Sequence, residues 1–145
     1  IEAEMVFGGT TAIFLQAPPQ GQAPQPQTVS GECMIQNSNQ EFTLFAVWPH
    51  MHQIATHQKV ELIRGGTTTV LHDMPFHFEE QSYYKKDPVV NVVVGDRIRT
   101  TCTYLNTTGG LVTIGDGSNQ EMCFSGLYRY PARNAGLFSC SEGGI

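Results

Sequence analysis

The sequence predicts an all-β protein, a jelly-roll β-sandwich of about nine strands. Three observations predict it. Fifteen glycines and eight prolines punctuate a chain of 145 residues, and the runs between them are short and rich in Val, Thr, Phe and Tyr, which suit a pleated, half-buried surface. No stretch sustains a 3.6-residue hydrophobic period between helix caps. Gly-Gly and Gly-Asp pairs stand between alternating segments, where turns between strands are expected.

Residues 1–17 carry two apolar patches, Met5-Val6-Phe7 and Ala12-Ile13-Phe14-Leu15, which read as weak strands. Pro18 to Gln27 holds four prolines and reads as an extended surface connection, because proline lacks the N–H that a ladder needs. Strand signals become regular from Thr28. Phe42 to Val47 is apolar and leads into Trp48-Pro49-His50-Met51-His52. Gln58 to Arg64 alternates, Gly65-Gly66 ends it, and Thr67 to Leu71 is its expected hairpin partner. After the aromatic-rich Phe76 to Tyr84, Pro88 to Val94 and Arg97 to Leu105 flank Gly95-Asp96 and read as another hairpin-like pair. Asn106 to Gly110 reads as a turn, Leu111 to Ile114 as a short strand, and Gly115 to Asn119 as a polar loop. Met122 to Tyr130 closes the core, and Pro131 onward reads as irregular.

With 40% hydrophobic and 14% charged residues, residues 1–145 are expected to form one domain with a core of its own. Net charge is −5 with a pI near 5.4. Lys85-Lys86 is the longest basic run, which excludes the phosphate-neutralising face of a nucleic-acid binder. No apolar run approaches the ~20 residues that span a bilayer. Ile1 opens the chain without a signal peptide, so a processed product or an excised piece is expected. Cys33, Cys102, Cys123 and Cys140 are even in number and form no CxxC, which argues against a zinc knuckle or a redox dithiol. Two disulfides in a secreted or periplasmic protein fit better, with three pairings open; the alternative is four reduced, buried thiols in a cytosolic protein.

Side chains two apart on a strand share a face, so His50 and His52 project together while Met51 points the other way. Such a pair at a strand end suits one metal ion; the alternative is two histidines with no ligand. The third ligand decides the metal. Zinc takes a further His, Cys or carboxylate, whereas a thioether favours copper(I). Spacing alone does not choose Met122 over His57, His72 or His77, and core filling is the ordinary role of a methionine. His57 follows a turn and is expected to be exposed. His72 and His77, five apart, face opposite ways in any one strand and read as structural or solvent-facing. Asn106-Thr107-Thr108 matches a glycosylation acceptor, a pattern that is common by chance. There is no nucleophile elbow and no phosphate-cradling glycine motif.

Read together, Trp48-Pro49-His50-Met51-His52, Gly95-Asp96-Arg97, Thr101-Cys102-Thr103-Tyr104, Gly115-Asp116, Glu121-Met122-Cys123 and Tyr128-Arg129-Tyr130-Pro131 resemble the C-terminal domain of copper type II, ascorbate-dependent monooxygenases. This family includes dopamine β-monooxygenase and peptidylglycine α-hydroxylating monooxygenase. The resemblance runs in order from about Pro18 to Cys140. It implies a jelly-roll sandwich holding one copper ion through His50, His52 and Met122, at which dioxygen is activated to hydroxylate a C–H bond of a small organic substrate. It further implies the pairings Cys33–Cys140 and Cys102–Cys123, ascorbate or another reductant as electron source, and an N-terminal domain carrying a second copper.

The chain departs from the family at three positions. Ala55 stands where a glycine follows the second histidine by three residues. Trp48 and Gly126 stand where the peptide-amidating members carry an Arg and a Tyr that read the substrate carboxylate. A glycine-extended peptide is therefore not the expected substrate, and Trp48 suggests an apolar or aromatic-lined pocket. Two other readings remain: a copper-binding or interaction module without turnover, and a structural jelly roll with the motif but incomplete metal occupancy.

Overall fold

A computed structural model describes residues 1–142. Its strands are β1 (Glu4–Thr10), β2 (Phe14–Leu15), β3 (Pro26–Met34), β4 (Phe42–His50), β5 (Ala55–Arg64), β6 (Thr67–Pro75), β7 (Tyr84–Val92), β8 (Arg97–Leu105), β9 (Val112–Thr113), β10 (Cys123–Tyr130) and β11 (Cys140–Glu142). Nine of them build two sheets, in the orders β11-β1-β10-β4-β7 and β3-β8-β5-β6, and β2 pairs with β9 beside them. All neighbours are antiparallel except β1 and β11. The all-β jelly-roll sandwich is the expected fold.

Alternation decides which side chains meet. Along β8, Ile98, Thr100, Cys102 and Tyr104 are buried while Arg97, Arg99, Thr101 and Thr103 are not, the period-2 pattern of a strand buried on one face. The main core lies between the sheets, where Phe42, Leu44, Val47, Val60, Leu62, Ile98 and Leu127 pack together. A second cluster, with Ile13, Leu15, Met51, Phe76, Tyr104 and Val112, fills one end. That end lies directly under the two-histidine motif, because Met51 is fully buried in it.

The hairpin β5–β6 turns at Gly65-Gly66 as expected, with Gly65 at φ +58. The expected pairing across Gly95-Asp96 does not form. β7 pairs with β4, β8 pairs with β3 and β5, and the chain crosses here from one sheet to the other. Asp96, 1% exposed, holds the crossing by accepting from Arg64 Nε and Nη2 at 2.8 and 2.7 Å and from the Val93 N–H at 2.8 Å. The Arg64 guanidinium keeps this carboxyl below its usual range. Crossing rather than folding back gives both apolar strands a share of the core, an outcome that local turn chemistry does not distinguish.

The segment after Pro131 is not wholly irregular, since β11 adds to the edge of β1. Disulfides join Cys33 to Cys140 and Cys102 to Cys123. Asn106 is fully buried: its Nδ2 donates to the Leu15 and Gly110 carbonyls and its Oδ1 accepts from Thr108. The apparent glycosylation motif is thus a structural turn.

Candidate metal centre

β4 and β10 lie side by side in a register that sets His50 opposite Phe124, Trp48 opposite Gly126 and Ala46 opposite Tyr128. Residues directly opposite in an antiparallel pair share a face. The ladder ends at the His50–Phe124 pair; two further residues on each chain lead to His52 and Met122. Burial alternates in agreement: Met51, Glu121 and Cys123 are buried, and His50, His52 and Met122 are half-buried. Of the three predicted ligands only His50 lies in the five-stranded sheet, as the last residue of β4; His52 and Met122 stand just beyond the ends of β4 and β10, at the edge of the buried end-cluster.

The two imidazoles are 5.9 Å apart between centroids and perpendicular. Nδ1 of His50 lies 3.3 Å from Gln81 Oε1, and Nδ1 of His52 lies 2.9 Å from the Gln120 carbonyl oxygen. Both oxygens only accept, so Nδ1 is the donor in each ring. The Gln81 amide is oriented by its own Nε2, which donates to the Phe78 carbonyl at 3.2 Å. In the neutral ring the Nε2 lone pair is then free, the arrangement in which histidine ligates a metal. Burial, with the neighbouring His52, pushes the pKa of His50 down against the pull of Gln81 and Asp116, which keeps its ring unprotonated and ready to coordinate.

Glu121 joins the two segments. Its side chain is 1% exposed; Oε1 accepts from the His52 N–H at 2.8 Å and the Met122 N–H at 3.3 Å, and Oε2 from the Ile54 N–H at 2.9 Å. Burial raises its pKa even against these bonds. Tyr104, its hydroxyl pKa also raised by burial, donates to the Met122 carbonyl at 2.7 Å. The Cys102–Cys123 bridge fixes the next residue to β8. The Met122 backbone is thus held at its N–H, its carbonyl and its C-terminal neighbour, leaving the thioether as its adjustable part.

The other histidines stand apart from this site. His57 on β5 pairs with Asp73, and His77 is exposed before a short 3-10 turn at Phe78–Glu80. His72 is buried against Tyr84 with ring centroids 4.8 Å apart, its pKa lowered to about 4 by burial and by Lys86. Among the described residues no three His, Cys, Asp or Glu side chains group around one point.

Aromatic rings surround the pair. His50 packs on Trp48 at 4.9 Å and on Phe7 at 5.8 Å between centroids; Phe7 stacks on Phe124, and Phe138 tilts against both. Trp48 fits because Gly126 has no side chain: a Cβ there would stand 3.1 Å from the indole Cε3 and from Met5 Sδ. A cavity of about 340 Å³ opens beside Met122, walled by Ile114, Phe124 and Phe138 with Asp116 at its lining.

A family model describing the C-terminal domain of copper type II, ascorbate-dependent monooxygenases matches residues 6–143. The chain belongs to this family. Nearly the whole sandwich lies within the match, from β1 to β11. The family is dependent on copper and ascorbate, and its chemistry is that of a monooxygenase. A comparison with curated proteins finds none that matches.

Gln81, Gln120, Glu121 and Tyr104 support the site, yet sequence reasoning gave none of them a role. Gln120 and Glu121 adjoin Met122 and carried a local signal. Gln81 lies 31 residues from His50 and carried none.

Proposed function

We propose that the chain is the copper-binding sandwich domain of a monooxygenase, holding one copper ion through Nε2 of His50, Nε2 of His52 and the thioether of Met122. The observation that carries this reading is the orientation of the two imidazoles: each Nδ1–H is spent on an oxygen acceptor, so each Nε2 is free. Copper bound there supplies the one-electron chemistry with which the family activates dioxygen for C–H hydroxylation. The protein's part is positional. Gln81 and the Gln120 carbonyl fix the ring tautomers, Glu121 locks the spacing of the two segments, and Tyr104 with the disulfide holds the Met122 backbone. The apolar walls beside Met122, formed by Ile114, Phe124 and Phe138, suit a C–H-bearing group.

In this reading electrons from ascorbate or another reductant would reach the site through a second copper on an N-terminal domain of the full enzyme, and dioxygen and a small organic substrate are its partners. Two disulfides support an oxidising, secreted or periplasmic setting. No helix is long and apolar enough to cross a membrane among the described residues.

Anaerobic copper(I) titration of the wild type, His50→Ala and Met122→Ala against a competing chelator tests the assignment. One equivalent binds the wild type, and each variant loses at least tenfold in affinity. The X-ray absorption spectrum of the copper(I) form shows a sulfur scatterer that Met122→Ala removes. Undiminished affinity in both variants overturns the site.

A further inference from the structure

The end of β10 remote from the candidate metal centre carries a buried cation. Beyond the bulge at Phe45, where β4 gains one residue against β10, Arg129 stands opposite Leu44. At ~3.3 Å per residue this is about 17 Å along β10 from the pair formed by Phe124 and His50. Arg129 is 4% exposed; its Nε and Nη2 donate to Glu4 Oε1 at 3.0 and 2.7 Å, and its guanidinium lies 5.0 Å from the centre of the Phe42 ring. Beside it opens a cavity of about 350 Å³, lined by Arg129, Arg133, Asn37, Gln40 and the Cys33–Cys140 bridge among others.

The hydrogen bonds around this cavity spend its acceptors and leave donors over. Arg133 donates through Nε and Nη2 to the Glu41 carbonyl at 3.0 and 2.5 Å, and pairs with no carboxylate among the described residues. Nη1 of both guanidiniums is likewise without a partner among them. At the exposed rim, Asn37 Oδ1 accepts from the Asn39 N–H at 3.0 Å and Gln40 Oε1 from the Gln36 N–H at 2.7 Å. A carboxamide whose oxygen is engaged still offers two N–H donors, and a guanidinium has donors only. The two nearby carboxylates are already engaged. Glu4 accepts from Arg129 and from the N–H groups of Arg133 and Asn134, and Glu41 accepts from the Val94 N–H. Neither lines the cavity, so its charged lining residues are two arginines.

We infer that this cavity binds a small oxyanion, a carboxylate or sulfate group held by Arg133 together with Arg129, Asn37 and Gln40. Paired guanidinium N–H groups match two oxygens of one such group, which a point charge does not. The volume exceeds that of a bare ion, and Ile35 with the disulfide supplies an apolar wall for the body of an organic acid. An anion seated there ties the connection between β3 and β4 to the segment after Pro131. The site is separate from His50, His52 and Met122 and does not depend on reading them as metal ligands.

The metal-free protein is titrated by calorimetry with sulfate, succinate and the neutral analogue succinamide, at constant ionic strength set by chloride. One equivalent of sulfate or succinate binds, the thermal midpoint rises with its concentration, and succinamide does neither. Tighter binding of succinate marks an organic acid as the ligand, and tighter binding of sulfate an inorganic one. Asn37→Asp and Gln40→Glu keep the oxygen that each backbone N–H needs but replace the donors by negative charge. Each leaves the anion-free midpoint in place and lowers affinity roughly tenfold, whereas Arg133→Gln abolishes binding. Copper(I) affinity is unchanged in all three variants. Failure of both dianions to saturate, equal binding of succinamide, or wild-type affinity in both Asn37→Asp and Gln40→Glu overturns the proposal.

Discussion

The two sheets of this sandwich present opposite outer faces. On the four-stranded sheet, Glu32 meets Arg97 and Arg99 at 3.2 and 3.6 Å, and Glu61 meets Lys59 and Arg99 at 3.6 and 4.0 Å. These pairs are solvated, and such pairs contribute little. On the five-stranded sheet the same outward positions carry Trp48, His50, Phe124 and Tyr128. Both sheets cover one core, so the demands of folding on their outer faces are alike. The difference is one of chemistry: one face carries solvated charge pairs, and the other carries aromatic rings and the His50 imidazole.

Perturbations sharpen that comparison, beginning with the bonds that hold the sandwich. The disulfides close loops of very different length, with sequence separations of 107 for Cys33–Cys140 and 21 for Cys102–Cys123. Replacing the first pair by serines is expected to cost about 5 kcal/mol by loop-closure entropy, measured by urea unfolding, with copper(I) affinity unchanged in the protein that remains folded. Replacing the second costs about 3 kcal/mol and also weakens copper(I) binding, because Met122 loses its anchored neighbour. Equal effects of the two on copper would sink the distinction.

Glu121→Ala leaves the N–H groups of His52, Ile54 and Met122 without their acceptor and is expected to cost about 3 kcal/mol. Glu121→Gln retains one acceptor oxygen and recovers part of both stability and copper(I) affinity. If Glu121→Ala lowers stability but leaves the sulfur signal in the absorption spectrum intact, Glu121 supports the fold without positioning the ligand.

Acid is the next lever. His72 is held neutral by burial and Lys86, with His57 adding to the depression and Asp73 opposing it, and its folded pKa of about 4 lies below the ordinary histidine value of 6.5. A depressed histidine contributes stability that is complete above pH 6.5 and is lost as pH falls toward 4. The urea midpoint should fall across that window, and His72→Gln should flatten the slope. An unchanged slope in the variant would assign the acid sensitivity to other groups. The smallest effect is expected on the charged face: Glu61→Gln changes stability by less than about 1 kcal/mol and copper binding not at all.

Much of this was legible beforehand. Alternation along Arg97 to Leu105 and the Gly65-Gly66 turn are local, so strands and the first hairpin could be read directly. The nearness of the His50 and His52 rings was expected from two-residue alternation, although β4 ends at His50 and His52 lies just beyond it; Met122 as their partner rests on resemblance rather than spacing. What escaped was everything that depends on which strand lies beside which. Gly95-Asp96 looks like a hairpin turn but carries the chain between sheets, because Arg64 from a distant strand holds Asp96 at the crossing. The bulge at Phe45 has no signature in a run of apolar residues.

The sequence by itself determined the fold class, the two-residue spacing of His50 and His52 and the residue types that can hold a soft metal, since these follow from local periodicity and donor chemistry. Only the tertiary structure decided that both Nδ1 atoms are occupied, that Glu121 bridges the two segments and that Phe45, Tyr83 and Tyr128 gather around Ala46. Those features join residues from separate strands, and a hydrogen bond or a stacked ring exists only once packing has brought its partners together.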